Sequence, residues 1–522
     1  MADQTEVLVV GAGPSGLVLA LWLTRQGVRV RIIDKSEIIP STSRALAIHA
    51  RTVELYRQLD LADTLLENGY SMRHTNVWSE GVHRSRIAIG DGGKDLTPYP
   101  FIHVCSQDRH EKLLEEKLNA LGVYVERRRE LVDCTQHASG VTARWKVLDG
   151  DEDKEEEEEE EEEVIEAAFV AGCDGSHSTV RHASGIDFAG EMYQQQFFVA
   201  DIKGSGPTIN GEANLAICQS EITLTFPFDN GHRIRLTGAV DDEAMAKQEK
   251  SELTLDDVAG HTIKTMNLRV EQLNWLTVYR IHHRVAEVFR KDRVFLVGDA
   301  AHIHSPVGGQ GMNTGIGDAI NLAWKLATVL RGGHANGALL DSYQAERQAF
   351  AKTLVQTTDR SFNVIASKSY LSGFVRSWFV PYIVPILARF DMFRYRAFSG
   401  MSQILLNYRD GPLSAGSAGS VQGGDRVLWA PVDGCDNHDS LREITWQVHV
   451  YGNNASDALG DWCRAKHIPL HVFPWHQKYY DVGLAQDAAY LIRPDSYIAV
   501  AELNSQGFEG YFKKVGINMD TL

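Results

Sequence analysis

At 522 residues, the chain is too long for one compact core, and its length predicts two or three domains. Its 43% hydrophobic and 23% charged residues are ordinary for a soluble globular protein. The formal net charge of −17 is mostly local, because residues 149–166 hold 14 acidic side chains and a single lysine. The charge therefore indicates little about partners, although it disfavours nucleic-acid binding. Six scattered cysteines without a C-x-x-C pair indicate reduced thiols and a cytoplasmic location.

The first pattern along the chain is a β-α-β unit from Glu6 to Asp34. Its glycine turn reads GAGPSG, in which the first glycine makes the turn, the second admits a pyrophosphate and the third lets helix and strand pack closely. The acid that ends the second strand is placed to bind an adenosine ribose. The unit predicts an adenine dinucleotide site but does not distinguish NAD from FAD. Its predicted contacts are Gly11, Gly13, Ser15, Gly16, Asp34 and Lys35.

Helical spacing predicts a helix over about Ala50 to Leu66 and another over Ser106 to Leu121. The glutamate tract at 155–163 has nothing apolar to bury, and residues 150–164 are therefore predicted to be a disordered loop. Strand-like alternation dominates the region from about Met192 to Tyr279, and glycine and serine at 409–424 predict a linker before a small third unit.

The stretch from Arg293 to Ala327 combines a buried strand, a glycine loop and a helix. Gly298-Asp299 ends the strand, where open α/β sheets place their ligands. The glycines at 308, 309 and 311 let the backbone approach a ligand, and the helix start favours a cofactor that becomes anionic. His302 and His304 are two residues apart, but catalytic zinc needs three protein ligands. Packing or hydrogen bonding beside the ligand is therefore the expected role of the two histidines.

Three further runs carry a resemblance: GCDGSHSTVR at 172–181, LDSYQAER at 340–347 and YLIRPDSYIA at 490–499. With the two glycine motifs, they make nearly the whole chain resemble the FAD-dependent aromatic hydroxylases, and the phenol hydroxylase branch in particular. The resemblance implies FAD as cofactor, NADPH or NADH as co-substrate, and O2. It also implies hydroxylation of an aromatic ring through a C4a-hydroperoxyflavin.

The implied fold is α/β, with a discontinuous Rossmann-like FAD-binding domain of the glutathione-reductase type over 1–75, 101–191 and 290–408. A substrate-binding sheet domain is expected over 76–100 and 192–289, and a thioredoxin-like domain over 425–522. Because Cys463 has no C-x-x-C partner, the third domain is expected to serve packing or dimerisation, so a homodimer is possible.

The resemblance also assigns roles to single residues. Asp299 would bind a ribityl hydroxyl, and Gln107 would lie near the ribityl–pyrophosphate portion. Arg44 would lie near the flavin. Asp174 and Arg181 would belong to an element linked with both FAD and NADPH, although an Asx-turn before Gly175 is the alternative for Asp174. The residues expected beside the flavin ring are Pro306, Gly311, Met312 and Asn313, with backbone N–H groups facing its pyrimidine edge.

Phenol hydroxylase has a carboxylate that faces its substrate, whereas the matching run from Arg44 to His49 contains no acid. A larger phenolic or polyketide-like substrate of secondary metabolism is therefore expected, with no stable membrane insertion. The candidates for activating the substrate are His49, Arg233, Arg235 and Tyr279. Epoxidation or Baeyer–Villiger oxygenation is the alternative reaction on this fold, and a non-enzymatic binding protein is the alternative outside enzymes.

Overall fold

The structure is a computed structural model, and it describes residues 3–40, 45–148, 162–218, 221–228, 233–240, 253–305, 307–332, 337–366, 373–453, 455–502 and 507–521. Most of the predicted acidic loop at 150–164 therefore lies outside the described residues, as do Arg44 and Pro306.

The first sheet has the strand order β17-β18-β11-β1-β2-β8, with β10 and β9 continuing from β11 as an antiparallel extension. Strand β1 pairs in parallel with β2 and β11, and β11 pairs in parallel with β18. Its central strands are buried on both faces because helices cover them, as parallel sheets require. Its strands are β1 (Asp3–Val10), β2 (Val30–Ile33), β8 (Val125–Glu126), β9 (Arg129–His137), β10 (Gly140–Val147), β11 (Glu162–Gly172), β17 (Arg290–Lys291) and β18 (Val294–Leu296).

The second sheet has the order β19-β16-β12-β15-β14-β13-β5-β6 and brings together strands from distant parts of the chain. Its two longest strands, β12 and β16, pair antiparallel along most of their length. The strands are β5 (Thr75–Ser79), β6 (Val82–Ile87), β12 (Phe188–Ser205), β13 (Ala213–Cys218), β14 (Glu221–Phe228), β15 (Arg233–Ala239), β16 (Arg269–Ala286) and β19 (His302–Ile303). A small third sheet joins β3 (Ala47–Ile48), β7 (Ile102–Val104) and β4 (Tyr70–Met72).

The fourth sheet belongs to the third unit and has the order β21-β20-β25-β24-β22-β23. Residues 409–424 contribute two strands to it, which corrects the prediction of a linker. Gly423 packs so closely there that a Cβ would lie 2.3 Å from the Ala415 nitrogen, so its glycine serves packing. The strands are β20 (Ala415–Ala418), β21 (Val421–Gln422), β22 (Gln447–Tyr451), β23 (Leu470–Phe473), β24 (Ala489–Ile492) and β25 (Ile498–Glu502).

The helix predicted over 50–66 is two helices, because the chain turns at Asp60, whose φ is +54°. The helices are α1 (Pro14–Arg25), α2 (Ala50–Arg57), α3 (Ala62–Glu67), α4 (Gln107–Ala120), α5 (Thr179–Ala183), α6 (Leu255–Thr265), α7 (Gln310–Leu330), α8 (Ala338–Ala366), α9 (Val384–Leu387), α10 (Asp391–Met401), α11 (Asp457–Ala465), α12 (Gln477–Asp481) and α13 (Gly507–Val515). A π-helical segment, Val375–Ile383, precedes α9. Among the described helices, none has the length and apolar character needed to cross a membrane.

Candidate active site

The glycine turn after β1 packs against the loop that follows β11. A Cβ on Gly11 would lie 2.5 Å from the Cys173 carbonyl oxygen, and one on Gly16 would lie 1.9 Å from the Gly11 oxygen. A Cβ on Gly13, in contrast, would meet nothing within 4 Å. Gly11 and Gly16 therefore serve internal packing, whereas Gly13 borders open space at the N-terminus of α1, where a helix favours an anion.

The same helix start also contacts the turn after β18 and the second turn of α7. A Cβ on Gly298 would lie 2.7 Å from Ser15 Oγ, and one on Gly315 would lie 2.4 Å from the same atom. The loops at 11–16, 172–181 and 298–315 thus meet at the carboxyl edge of the first sheet. Asp299 is exposed at this edge between the buried residues Gly298 and Ala300.

Asp34 closes the turn from the side of β2. Its carboxylate accepts hydrogen bonds from the backbone N–H groups of Ala12 at 2.6 Å and Ser36 at 2.7 Å. Lys35 is exposed beside it, and the Arg127 guanidinium lies 4.0 Å away. The acid therefore fixes the shape of the glycine turn, and its half-buried carboxylate borders the open space next to that turn.

Helix α4 adds a residue that the sequence did not single out. Gln107 Nε2 donates to Glu111 Oε1 at 2.7 Å, one helical turn further on. Burial raises the pKa of the Glu111 carboxyl to about 7; the Gln107 hydrogen bond opposes this shift, and the negative charge of Asp34 adds to it. The i, i+4 spacing of Gln107 and Glu111 on a helix predicts that the two side chains interact. The burial that raises the pKa of Glu111 depends on the fold and could not be predicted from this spacing.

Asp174 and Arg181 hold loops together. Asp174 Oδ2 accepts from the Val180 N–H at 3.1 Å, near the start of α5, and burial raises the pKa of the carboxyl. Arg181 donates from Nη1 to the Ala300 oxygen at 3.0 Å and from Nη2 to the Ser176 oxygen at 2.9 Å. Its guanidinium thereby connects the loop after β11 to the loop that carries Asp299.

The loop before α7 is shaped by Gly308 and Gly309, whose φ values of +80° and +62° lie in the left-handed region that favours glycine. Helix α7 then begins at Gln310, directly after Gly309, so the backbone N–H groups of its first turn precede the regular i→i−4 hydrogen bonds of the helix. The sequence predicted that this backbone, through Gly311, Met312 and Asn313, would face a flavin ring, and the geometry leaves it suited to an anionic group.

The Asn313 side chain is fully occupied by the protein. Its Oδ1 accepts from the His49 N–H and from Thr52 Oγ1, both at 2.8 Å, and its Nδ2 donates to the Ala47 and Gly309 oxygens, both at 2.9 Å. The side chain therefore joins the start of α2 to the start of α7.

His49 lies directly before α2 and contacts the glycine loop. Its Nε2 is 3.0 Å from the Gly309 oxygen, an acceptor, so Nε2 carries the proton and Nδ1 is left with a lone pair. Burial lowers the pKa of the imidazole to about 4, although hydrogen bonds to the Gly309 and Gly308 backbone oppose this shift. Nδ1 is buried and has no hydrogen-bond partner among the described residues. The ring is therefore neutral at pH 7 and offers one acceptor.

The remaining substrate-side candidates lie on the second sheet. Arg235 binds Asp201 through two hydrogen bonds of 2.8 and 3.0 Å, and both residues are buried. Its Nη1 also donates to the Ala45 oxygen at 3.4 Å, so it reaches the segment that leads to His49. Arg233 lies 3.9 Å from the same aspartate. The charge of Arg235 is thus compensated, and the sheet contacts the 45–49 segment through it.

Tyr279 is further along the second sheet. It faces Phe197 across β12 and β16, whereas the row of Arg235 contains Asp201 and Trp275. Four residues along a strand correspond to about 13 Å. The structure therefore brings His49 and Arg235 to opposite ends of the 45–49 segment and places Tyr279 four residues along the strand from the row of Arg235.

His302, the first of the two closely spaced histidines, is held by buried side chains. Its Nε2 lies 2.6 Å from Asp318 Oδ2, and Arg347 Nε donates to Asp318 Oδ1 at 2.6 Å. Asp318 also accepts from the Gly298 N–H at 3.2 Å. No cluster of three potential metal ligands occurs in the part of the chain that the structure describes. Asp318 and Arg347, which the sequence did not single out as partners, thus fix the loop on both sides of Asp299.

The profile of the family described as "FAD binding domain" matches residues 4–358. The chain is also 35% identical to a 6-methylpretetramide 4-monooxygenase of Streptomyces rimosus, over 95% of this chain and 91% of the relative. The chain belongs to the FAD-binding domain family. It is an FAD-dependent monooxygenase that uses reduced nicotinamide and O2.

Other relatives agree with this assignment. A rifampicin monooxygenase of Streptomyces venezuelae is 32% identical over 70% of this chain and 72% of its own length. The structure of the rebeccamycin biosynthetic enzyme RebC with reduced flavin superposes with a TM-score of 0.78 at 25% identity, covering 99% of both chains. The anhydrotetracycline hydroxylase OxyS of Streptomyces rimosus gives a TM-score of 0.74 at 24% identity over 98% of this chain and 99% of its own, which shows a shared fold.

The described residues fit FAD. The open space beside Gly13 lies at a helix start, as the pyrophosphate of a dinucleotide requires. At the other end of the site, the start of α7 has no side-chain cap among the described residues, and its helix dipole matches a ring that carries negative charge when reduced. The Asp34 carboxylate adjoins the first of these helix starts, where it accepts from the Ala12 N–H.

Proposed function

We propose that this FAD monooxygenase hydroxylates a phenolic, polyketide-derived aromatic ring in secondary metabolism. The observation that carries the proposal is the meeting of two elements at the 45–49 segment. Asn313 of the glycine loop binds the Ala47 oxygen, and Arg235 of the second sheet binds the Ala45 oxygen. A ring held between that sheet and the glycine loop would lie next to the flavin.

The residues that would hold FAD follow from this placement. The glycine turn, with Gly11, Gly13, Ser15 and Gly16, would bind the pyrophosphate, and Asp34 with Lys35 would bind the adenosine end. Asp299 and Gln107 would bind the ribityl portion, supported by Gly298, Asp174 and Arg181. The backbone of Gly311, Met312 and Asn313 would face the ring. When bound, the flavin supplies hydride acceptance and oxygen activation.

The chain itself contributes binding, orientation and exclusion of water. We assign His49 to orientation, since its buried, neutral ring donates from Nε2 to the Gly309 oxygen and so joins the 45–49 segment to the glycine loop. Arg235 would act by holding the 45–49 segment, because Asp201 already compensates its charge. The N–H groups at the start of α7 would stabilise negative charge on the ring by their fixed dipoles.

The substrate class rests on the relatives. Their names specify pretetramide, rifampicin and tetracycline-type compounds as substrates of those enzymes. The run from Ala45 to His49 contains no carboxylate that would suit simple phenol. We therefore propose a polycyclic phenol for this chain, and a cytoplasmic location consistent with its free cysteines.

We also propose that the third unit has a thioredoxin-like fold. The sheet order β25-β24-β22-β23 combines a parallel pair joined by a helix with an antiparallel hairpin, and a final helix follows. Burial raises the pKa of the Cys463 thiol to about 11, and this cysteine has no C-x-x-C partner. The unit would therefore serve packing rather than redox chemistry.

The test is product analysis with labelled O2. Purified holoenzyme, NADPH or NADH, and a panel of simple and polycyclic phenols should give one labelled oxygen in a ring hydroxyl for a polycyclic phenol. Label in a lactone or epoxide would instead indicate the alternative oxygenation. Equal turnover of phenol and the polycyclic compounds would contradict the substrate class, and NAD(P)H consumption unaffected by any phenol would contradict hydroxylation itself.

A further inference from the structure

The turn between β24 and β25 projects from the third unit into the FAD-binding domain. The turn is tight, with the Arg493 N–H donating to the Tyr497 oxygen at 2.8 Å and with Ser496 at a φ of +60°. Arg493 and Asp495 are at most 1% exposed. Side chains this polar are rarely buried without partners, and here the partners belong to another domain.

Arg493 binds Glu346 of α8 through two hydrogen bonds of 2.6 and 3.0 Å. Lys325 of α7 donates to the same carboxylate at 2.9 Å. Asp495 pairs with Arg493 and accepts from Trp324 Nε1 of α7 at 3.0 Å. Two cations and two anions are therefore balanced in one buried cluster, which spans the third unit, α7 and α8.

The cluster continues to the cofactor site through the next residue of α8. Arg347, adjacent to Glu346, holds Asp318, and Asp318 accepts from the Gly298 N–H at 3.2 Å. Asp318 also lies 2.6 Å from His302 Nε2. A shift of α8 at Glu346 would therefore move the groups that fix the loop of Asp299.

A second route runs through α2. Arg51 donates from Nη2 to the Asp495 oxygen at 3.1 Å and to Ser496 Oγ at 2.9 Å. One residue away on this helix, Thr52 donates to Asn313 Oδ1 at the start of α7. The turn of the third unit thus contacts α8 and α2, the two helices that carry Arg347 and Thr52.

We infer that Arg493 and Asp495 are positioning residues for FAD, acting through α8 and α2 on the two loops that would contact the ribityl chain and the ring. The inference rests on the placement of FAD given under the proposed function. The third unit then acts as an integral support of the cofactor site, although it would contribute no atom to the cofactor.

The test uses the full chain with Arg493→Met, Arg493→Lys and Asp495→Asn. The FAD dissociation constant is measured by titrating apoprotein while following flavin fluorescence, and the visible spectrum of the bound flavin is recorded. Arg493→Met should weaken FAD binding by about tenfold or more, a scale typical of supporting contacts around ligand sites. Asp495→Asn should weaken it less, and Arg493→Lys should restore part of the loss.

Phe508→Ala is the matched control, because Phe508 is a fully buried residue of the third unit's core and packs on Trp462. It should lower the Tm about as much as Arg493→Met while leaving the FAD dissociation constant within about twofold of wild type. Unchanged FAD affinity in both Arg493→Met and Asp495→Asn, or equal weakening by Phe508→Ala, would overturn the inference. The titration needs no substrate, so a wild-type enzyme that binds FAD but hydroxylates nothing would contradict only the proposed function.

Discussion

Arg347 and Asp318 form an ion pair of 2.6 Å in which both side chains are at most 1% exposed. The pair joins α8 to α7, and Arg347 also donates to the Thr314 oxygen and to Tyr408 Oη. A buried pair of this kind stabilises through its geometry, and loss of one partner leaves the other charged and desolvated.

Arg347→Met should therefore lower the free energy of unfolding by roughly 3–5 kcal/mol, measured by urea denaturation of the apoprotein. The matched control is Arg464→Met, because Arg464 forms an i, i+3 pair with Asp461 in which the two side chains are 79% and 70% exposed. That change should cost less than about 1 kcal/mol. Similar losses of unfolding free energy in both variants would show that the buried pair stabilises the protein no more than the exposed pair does.

Gly13 and Gly16 should respond differently to the same substitution. Gly13→Ala meets open space and a helical entry with φ of −71°, so the apoprotein should fold with an unchanged Tm but lose FAD affinity at least about tenfold. Gly16→Ala places a Cβ 1.9 Å from the Gly11 oxygen and should destabilise the apoprotein itself. Thermal melting and FAD titration distinguish the two results. Full FAD affinity in Gly13→Ala would contradict the placement of the pyrophosphate beside Gly13.

Glu111 should make the protein less stable as the pH rises. Its pKa is raised from 4.5 to about 7, so its favourable contribution is complete below pH 4.5 and is lost as the pH rises to about 7. Glu111→Gln keeps the hydrogen-bonding shape without the charge, and it should be more stable than wild type at pH 8 by up to roughly 3 kcal/mol. The difference should vanish near pH 4.5. A difference that does not vary with pH would assign the effect to packing.

His49 should make the protein less stable as the pH falls, which is opposite to the effect of Glu111. Its pKa is lowered from 6.5 to about 4, so its contribution is present above pH 6.5 and is lost as the pH falls towards 4. His49→Gln should remove up to roughly 3 kcal/mol of that acid sensitivity. In the pH profile of kcat/KM, wild type should show no inflection near 6.5 from this residue. An inflection there that disappears in His49→Gln would contradict a neutral imidazole.

The parts of the site that are local in sequence were predictable. The close packing of Gly11 and Gly16 depends on spacing within one turn, and the helix start at Gln310 follows from glycines directly before it, whereas the contacts of these glycines with FAD stay a prediction. The roles of Glu111, Asp318 and Glu346 as partners could not be predicted from the sequence. Each role depends on burial against segments that are far away in the chain. The break of the 50–66 helix at Asp60 and the pairing of residues 415–422 into a sheet likewise depend on tertiary contacts that overrule local composition.

The hairpin of β10 and β11 separates the acidic tract of the chain from the proposed cofactor site. Gly172, at one end of β11, adjoins the glycine turn, whereas Glu162, at the other end, lies ten residues and about 33 Å away. Leu148 and Glu162 bound the tract that supplies most of the acidic charge. The sequence between them is therefore a natural insertion point for an affinity tag or a fluorophore. The isoelectric point could also be changed there without altering the residues that would bind the cofactor.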